Sequence, residues 1–110
     1  MHSWDLSTID VDPRRPVVLD SEDEGRAILI NLPAGEQLQE HQVHERAWVL
    51  VISGQVEITM PDGDSARGGT GLLCVFDPAE RHEVSATEDA RILLVLAPWP
   101  GEGHPSNRSA

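Results

Sequence analysis

Short apolar runs alternate with turn-forming residues along most of the chain, and this pattern restricts the fold more than any other property of the sequence. Apolar residues show no sustained period of 3.6, so amphipathic helices are not expected. The run at 48–52 is rich in β-branched residues, and the apolar residues of 56–60 alternate with polar ones, as in a half-buried strand. Strands at regular short spacing predict an all-β sandwich or barrel. They are expected at 27–30, 48–52, 56–60, 72–76, 82–84 and 91–97.

Clusters of Gly, Pro, Asp and Ser predict the turns between these strands. In the acidic run at 20–25, four carboxylates repel one another and Gly25 offers conformational freedom, so a solvated turn is expected there. The glycine-rich stretch at 68–71 is interpreted as a flexible link and not as a phosphate-binding loop, because no helix or lysine follows it. Further turns are predicted at 53–54, 61–64 and 87–89.

The length of 110 residues predicts a single domain covering the whole chain. Residues 1–15 contain few residues suited to burial and are interpreted as an N-terminal extension on the surface. Residues 98–110 form a tail rich in Pro and Gly, which prevent regular structure. That tail either folds back across a barrel mouth, contacts a neighbouring copy or is disordered.

Charge and composition exclude several classes of function. A net charge of −11 disfavours nucleic acids and anionic membranes as partners, since both require clustered cations. The longest apolar run, at 92–97, is too short to span a bilayer. The single cysteine, Cys74, cannot form an intramolecular disulfide, which favours a cytoplasmic location. With no adjacent basic residue, Cys74 is expected to be an inert buried thiol.

Two segments, one with Gly35 and His41 and the other with Gly71 and His82, resemble the paired motifs of the cupin superfamily. In the first, Gly35 is followed after five residues by His41, and Gly54 closes the segment. In the second, Gly71 lies eleven residues before His82. The resemblance covers roughly residues 33 to 97 and implies the cupin double-stranded β-helix, a jelly-roll-like barrel.

The chain departs from the family pattern at the positions that usually bind a metal. The second histidine of the first motif falls on Val43 and the glutamate on Ala47, while the final asparagine position of the second motif is Ala86. Of the four metal ligands that the resemblance implies, only His41 and His82 are present. Val and Ala side chains carry no lone pair and cannot coordinate a metal.

One hypothesis is a binding module without catalytic activity. Replacing the histidine and the glutamate by Val43 and Ala47 leaves a wider and less polar cavity, with His41 and His82 as hydrogen-bonding groups. Such a cavity suits a small, partly hydrophobic organic ligand.

The alternative is a small metal-dependent enzyme, an oxygenase or isomerase as cupins often are. His44 would then replace the missing histidine, and His41, His44 and His82 would bind one divalent iron, manganese, nickel or zinc ion. Residues three apart point to opposite faces of a regular strand, so this set requires a turn between His41 and His44. Glu45 could add a carboxylate, but a solvated turn is its expected place.

A third hypothesis concerns assembly. Trp48, Leu50 and Ile52 have the opposite phase to Ala47 and would form an apolar outer face of the sheet. By analogy with small cupins, that face predicts a homodimer.

Overall fold

Seven β-strands make up the regular structure of the chain, in a computed structural model that describes residues 1–13, 15–41 and 44–102, with only the backbone described for residues 39–41. The described residues contain no helix, and hence no helix that could cross a membrane, so the predicted all-β class is confirmed. The strands are β1 Val17–Glu22, β2 Gly25–Leu32, β3 Gln37–His41, β4 Arg46–Thr59, β5 Ser65–Gly68, β6 Leu73–Phe76 and β7 His82–Ala97.

Strands β4 and β7 pair with each other along nearly their whole length and belong to both halves of the barrel. The first half of β4 and the second half of β7 form one layer with β1, β2 and β6. Their other halves form a second layer with β3 and β5. All pairings are antiparallel, and the two layers enclose a single core.

The two long strands bend together where the sequence predicted turns at 53–54 and 87–89, and those two predictions are wrong. The ladder shifts register between Val51 and Val56 but does not end. Gly54 has a φ of +86°, and a Cβ there would lie 2.1 Å from the carbonyl oxygen of Asp89. A glycine at this point lets the two backbones approach closely, so the chain bends within a continuous strand.

The acidic run at 20–25 is also more regular than predicted. Strand β1 continues to Glu22 and β2 begins at Gly25, so Asp23 and Glu24 alone form the turn. Gly25 pairs with Glu22 and lies inside the ladder. The carboxylates of 20–24 are exposed, where water screens their repulsion. The turn predicted at 61–64 is confirmed by Gly63, whose φ is +93°.

Alternate residues of the strands fill the space between the layers. The interior cluster consists of Ile30, Leu32, Ala47, Val49, Val51, Val56, Ile58, Phe76, Val84, Ala86, Ala90, Ile92 and Leu96.

Both chain ends lie against the barrel as far as they are described. The carbonyl of Leu6 accepts a hydrogen bond from Arg91, and that of Val11 accepts one from Asn31. Val11 itself is buried. At the other end, Trp99 packs against the interior cluster and its ring lies 4.5 Å from the guanidinium carbon of Arg26.

Candidate functional site

A cavity of about 250 Å³ lies between the two layers. Three cross-strand pairs supply most of its wall: Ile30 with Ile92, Val49 with Leu94, and Leu38 with Val84. One member of each pair is on β7, because that strand contributes to both layers. His82 is the remaining lining residue and its only polar side chain among those described.

His82 opens strand β7 and is held in the interior by stacking. Its side chain is 1 % exposed, and its ring lies parallel to that of Phe76, with centroids 3.8 Å apart and an interplanar angle of 10°. Nδ1 lies 3.4 Å from the backbone carbonyl oxygen of Glu80. A carbonyl oxygen can only accept a hydrogen bond. A proton on Nδ1 therefore faces this carbonyl, and the ring has a defined orientation beside the cavity.

His41 lies next to His82 in the ladder. The two residues pair in register between β3 and β7, so distant parts of the sequence bring two histidines side by side at the backbone level. The side chain of His41 lies outside the described residues, as does Val43. Ala47 is completely buried in the interior cluster. The ligand-binding set His41, His82, Val43 and Ala47 stays a prediction.

The proposed metal ligands occupy different environments where they are described. His44 is exposed to solvent, whereas His82 is almost completely buried. The described residues contain no group of three or more His, Cys, Asp or Glu side chains placed to hold a metal ion. Because the side chain of His41 lies outside the described residues, the set of His41, His44 and His82 stays a prediction.

Glu45 is buried, and the prediction that it lies in a solvated turn is wrong. Its side chain is 1 % exposed, and its carboxylate accepts a hydrogen bond of 2.7 Å from the backbone N–H of Gly101. The C-terminal segment after β7 covers this carboxylate. The sequence around Glu45 contains no local pattern that predicts a hydrogen-bond partner so distant along the chain.

The apolar lining was not predicted from the sequence, because aliphatic side chains in strands are ordinary core residues. The period-two pattern could have identified part of it. Val49 lies two residues from the inward-facing Ala47, and Ile92 and Leu94 share a phase in the last apolar run.

Cys74 lies on β6 and packs half-buried against the interior cluster. Burial raises the pKa of its thiol, since desolvation disfavours the thiolate. The side chain is thus a weak nucleophile at neutral pH.

Comparison with protein families gives a match over most of the barrel. The family model described as a cupin domain matches residues 28–97, from strand β2 to the end of β7. No functionally curated protein matches the chain.

Solved structures with the same fold include proteins from bacteria and from an archaeon. An RmlC-like cupin protein from Desulfovibrio desulfuricans is 21 % identical with a TM-score of 0.76, and the match covers 89 % of this chain and 97 % of that one. An RmlC-like cupin family protein with a double-stranded β-helix fold from Methanocaldococcus jannaschii is 21 % identical with a TM-score of 0.71, covering 84 % and 88 %. A protein of unknown function from Streptococcus pyogenes is 23 % identical with a TM-score of 0.73, covering 87 % and 86 %. At these identities the similarity confirms the fold alone.

Proposed function

Because this chain belongs to the cupin domain family, whose barrels enclose an interior space, we propose that it is a binding module holding a small organic molecule beside His82. The cavity of about 250 Å³ between the layers carries this proposal. Protein interiors are normally packed as densely as organic crystals and contain few voids larger than a water molecule. A cavity of this size leaves many dispersion contacts unmade, which a ligand would supply.

The chemistry of the lining supports a ligand more than a stored water cluster. Six aliphatic side chains surround the cavity, and a water molecule needs two to four polar partners to be held stably. His82 supplies one polar group that can orient an otherwise apolar molecule. His41 belongs to the proposed site because its backbone pairs with that of His82.

Two adjacent leucines on β7 provide a matched test of this proposal. Leu94 lines the cavity, whereas Leu93 has the opposite phase and pairs with Leu50 on the outer face. We expect small aromatic and aliphatic fragments to shift the methyl NMR signals of the lining residues in the wild-type protein. Leu94→Phe should fill part of the cavity and weaken fragment binding at least ten-fold, while Leu93→Phe should leave it within two-fold.

Loss of binding in both variants, or in neither, would remove the cavity as the binding site. The melting temperature of each variant shows whether it is folded. Metal content of protein purified without a histidine tag addresses the enzyme alternative, because the binding module requires no stoichiometric iron, manganese, nickel or zinc. A stoichiometric metal that is lost in a His41→Ala variant would favour the enzyme.

The outer face of the sheet supports a homodimer as part of the proposal. Two cross-strand rows run across β2, β7, β4 and β6, and Leu73 and Val75 at their ends are 54 % and 47 % exposed. None of these residues is charged, so two copies with a net charge of −11 each could pair here without opposing their carboxylates. The rows are Leu29, Leu93, Leu50 and Leu73, and Ala27, Val95, Trp48 and Val75. Leu29 is completely buried within the chain, so the other residues of the rows form the proposed contact.

A cytoplasmic location of this binding module is supported by its single cysteine, which cannot form an intramolecular disulfide.

A further inference from the structure

The N-terminal strap, residues 5–11, lies across the outer face of the sheet over β2 and β7. Arg91 donates a hydrogen bond to the backbone carbonyl of Leu6, and Asn31 donates one to that of Val11. Asn31 and Arg91 pair with each other across the two strands and have the phase of the outer face. The strap is therefore attached to the same face that carries the two apolar rows.

One leucine of this face is completely buried beneath the strap. Leu29 has an exposure of 0 %, although its phase on β2 directs it away from the interior cluster, and its row neighbour Leu93 stays partly exposed. In the described chain, Leu29 and Val11 are the two buried apolar residues that do not belong to the interior cluster. Asn31 lies two residues from Leu29 and bonds to the carbonyl of Val11, which places Val11 beside Leu29. The strap thus covers one end of the row that has the exposed Leu73 at its other end.

From this arrangement we infer that the N-terminal strap restricts self-association, because it occupies one end of the apolar face that a second copy would contact. This inference rests on the homodimer face of the proposed function and adds a control over how much of that face is available. When the strap detaches, the apolar row is extended by Leu29, and the surface offered to a second copy becomes larger.

The strap also places negative charge at this end of the face. Asp5 and Asp10 are exposed, and they adjoin Leu6 and Val11, the two residues through which the strap is attached. A second copy with a net charge of −11 that approaches this end meets both carboxylates. Detachment removes the cover and its charges together, and both changes favour association.

The attachment of the strap allows it to detach while the barrel stays folded. Strand β1 begins at Val17, so the strap lies outside the ladders, and among residues 1–13 only Val11 is buried. Its turn is closed within the strap, where the backbone N–H groups of Thr8 and Ile9 donate to the carbonyl of Asp5. Segments with few buried apolar contacts open at a free-energy cost well below that of global unfolding. The strap can therefore leave the face as a unit.

A carboxylate at position 11 tests the inference in the full-length protein. Val11→Asp places a charge beside Leu29, which favours detachment, whereas Trp4→Asp adds the same charge at a position that is 45 % exposed. Sedimentation equilibrium measures self-association, and the ¹⁵N order parameter of the Thr8 amide reports whether the strap is attached. We expect this order parameter to fall below about 0.6 in Val11→Asp. Val11→Asp should self-associate at least ten-fold more tightly than the wild type, although its added charge opposes association, while Trp4→Asp should stay within two-fold.

The outcomes separate the strap from the homodimer. Detachment in Val11→Asp without tighter association overturns the inference and leaves a wild-type homodimer standing. A monomeric wild type whose Val11→Asp variant associates overturns the homodimer and supports the strap. If neither protein associates, both proposals are wrong.

Two further variants identify the surface that the strap covers. Leu29→Ser added to Val11→Asp should remove the gain in association, and a gain that persists would show that Leu29 is not the uncovered surface. If Val11→Asp does not fold, Asn31→Ala takes its place, since it removes the bond to the Val11 carbonyl. Asn31→Ala should also mobilise the strap and tighten association, and an unchanged association constant with a mobile strap overturns the inference.

Discussion

The buried carboxylate of Glu45 accepts a hydrogen bond of 2.7 Å from the backbone N–H of Gly101, 56 residues further along the chain. This bond attaches the segment after β7 to the beginning of β4. A Cβ on Gly101 would lie 2.7 Å from the carbonyl oxygen of His44, so the two segments are in close contact. The bond joins an ionisable group to an amide in a site shielded from water, where such a bond is stronger than at the surface.

Removing the carboxylate should therefore destabilise the protein. We expect Glu45→Ala to lower the free energy of unfolding by about 2 kcal/mol, since it leaves the Gly101 N–H without this acceptor. Glu45→Gln retains an acceptor oxygen and should cost less. Urea unfolding measures both, and hydrogen exchange of the Gly101 amide should accelerate in Glu45→Ala.

Glu57 offers a surface control for this comparison. It forms an ion pair with Arg67 in which the arginine side chain is 78 % exposed, so Glu57→Gln should change stability by about 0–1 kcal/mol. Equal losses in Glu45→Ala and Glu57→Gln would show that the bond to Gly101 does not hold the C-terminal segment.

Because the backbones of the two long strands approach closely at their bend, we expect that a side chain at position 54 is not tolerated. Gly54→Ala would combine a positive φ with a Cβ 2.1 Å from the Asp89 carbonyl oxygen, and we expect a loss of at least about 4 kcal/mol or no cooperative folding. Gly35 has a similar φ of +84° and nothing within 4 Å of a Cβ. Gly35→Ala should cost only about 1–2 kcal/mol, the strain of the backbone alone. Similar losses in the two variants, measured by urea unfolding, would mean that close approach at Gly54 is unimportant.

The raised pKa of Cys74 predicts slow reaction with thiol reagents. At pH 8 the folded protein should react with Ellman's reagent at least about ten-fold more slowly than the same protein in 8 M urea, because burial reduces both thiolate and access. The folded thiol keeps its proton to a higher pH than the unfolded one, so the free energy of unfolding should fall as the pH rises through the pKa of the unfolded thiol. Equal rates in the folded and the urea-unfolded protein would contradict this account.

The proposed homodimer predicts that a charge at the centre of the outer face separates the copies. In Trp48→Glu two carboxylates would oppose each other across the two-fold axis, and we expect the dimer dissociation constant to rise by a factor on the order of one hundred. Light scattering coupled to size exclusion measures the mass. Val18, 46 % exposed on β1 and outside the two rows, provides the control Val18→Glu, which should remain dimeric. A wild-type monomer would end the proposal.

The sequence predicted the β class and the residues that share a face, because period-two alternation is local. The placement of His41 and His82 in one site was predicted from the resemblance alone, since no local pattern joins β3 to β7. Burial of Glu45 could not be predicted, because its partner is a backbone N–H in a segment without regular structure. Strand β3 was missed for a related reason: its one strongly apolar residue, Leu38, gives no periodic signal.

Strand β7 pairs with β2, β3 and β4, and supplies four of the residues around the cavity. A nascent chain that has not yet released residues 82–97 from the ribosome therefore lacks the surface on which β2 and β3 assemble. Contacts so distant along the chain are slow to form. The barrel closes only after residues 82–97 have been released, and a chain without β7 has no smaller version of the fold.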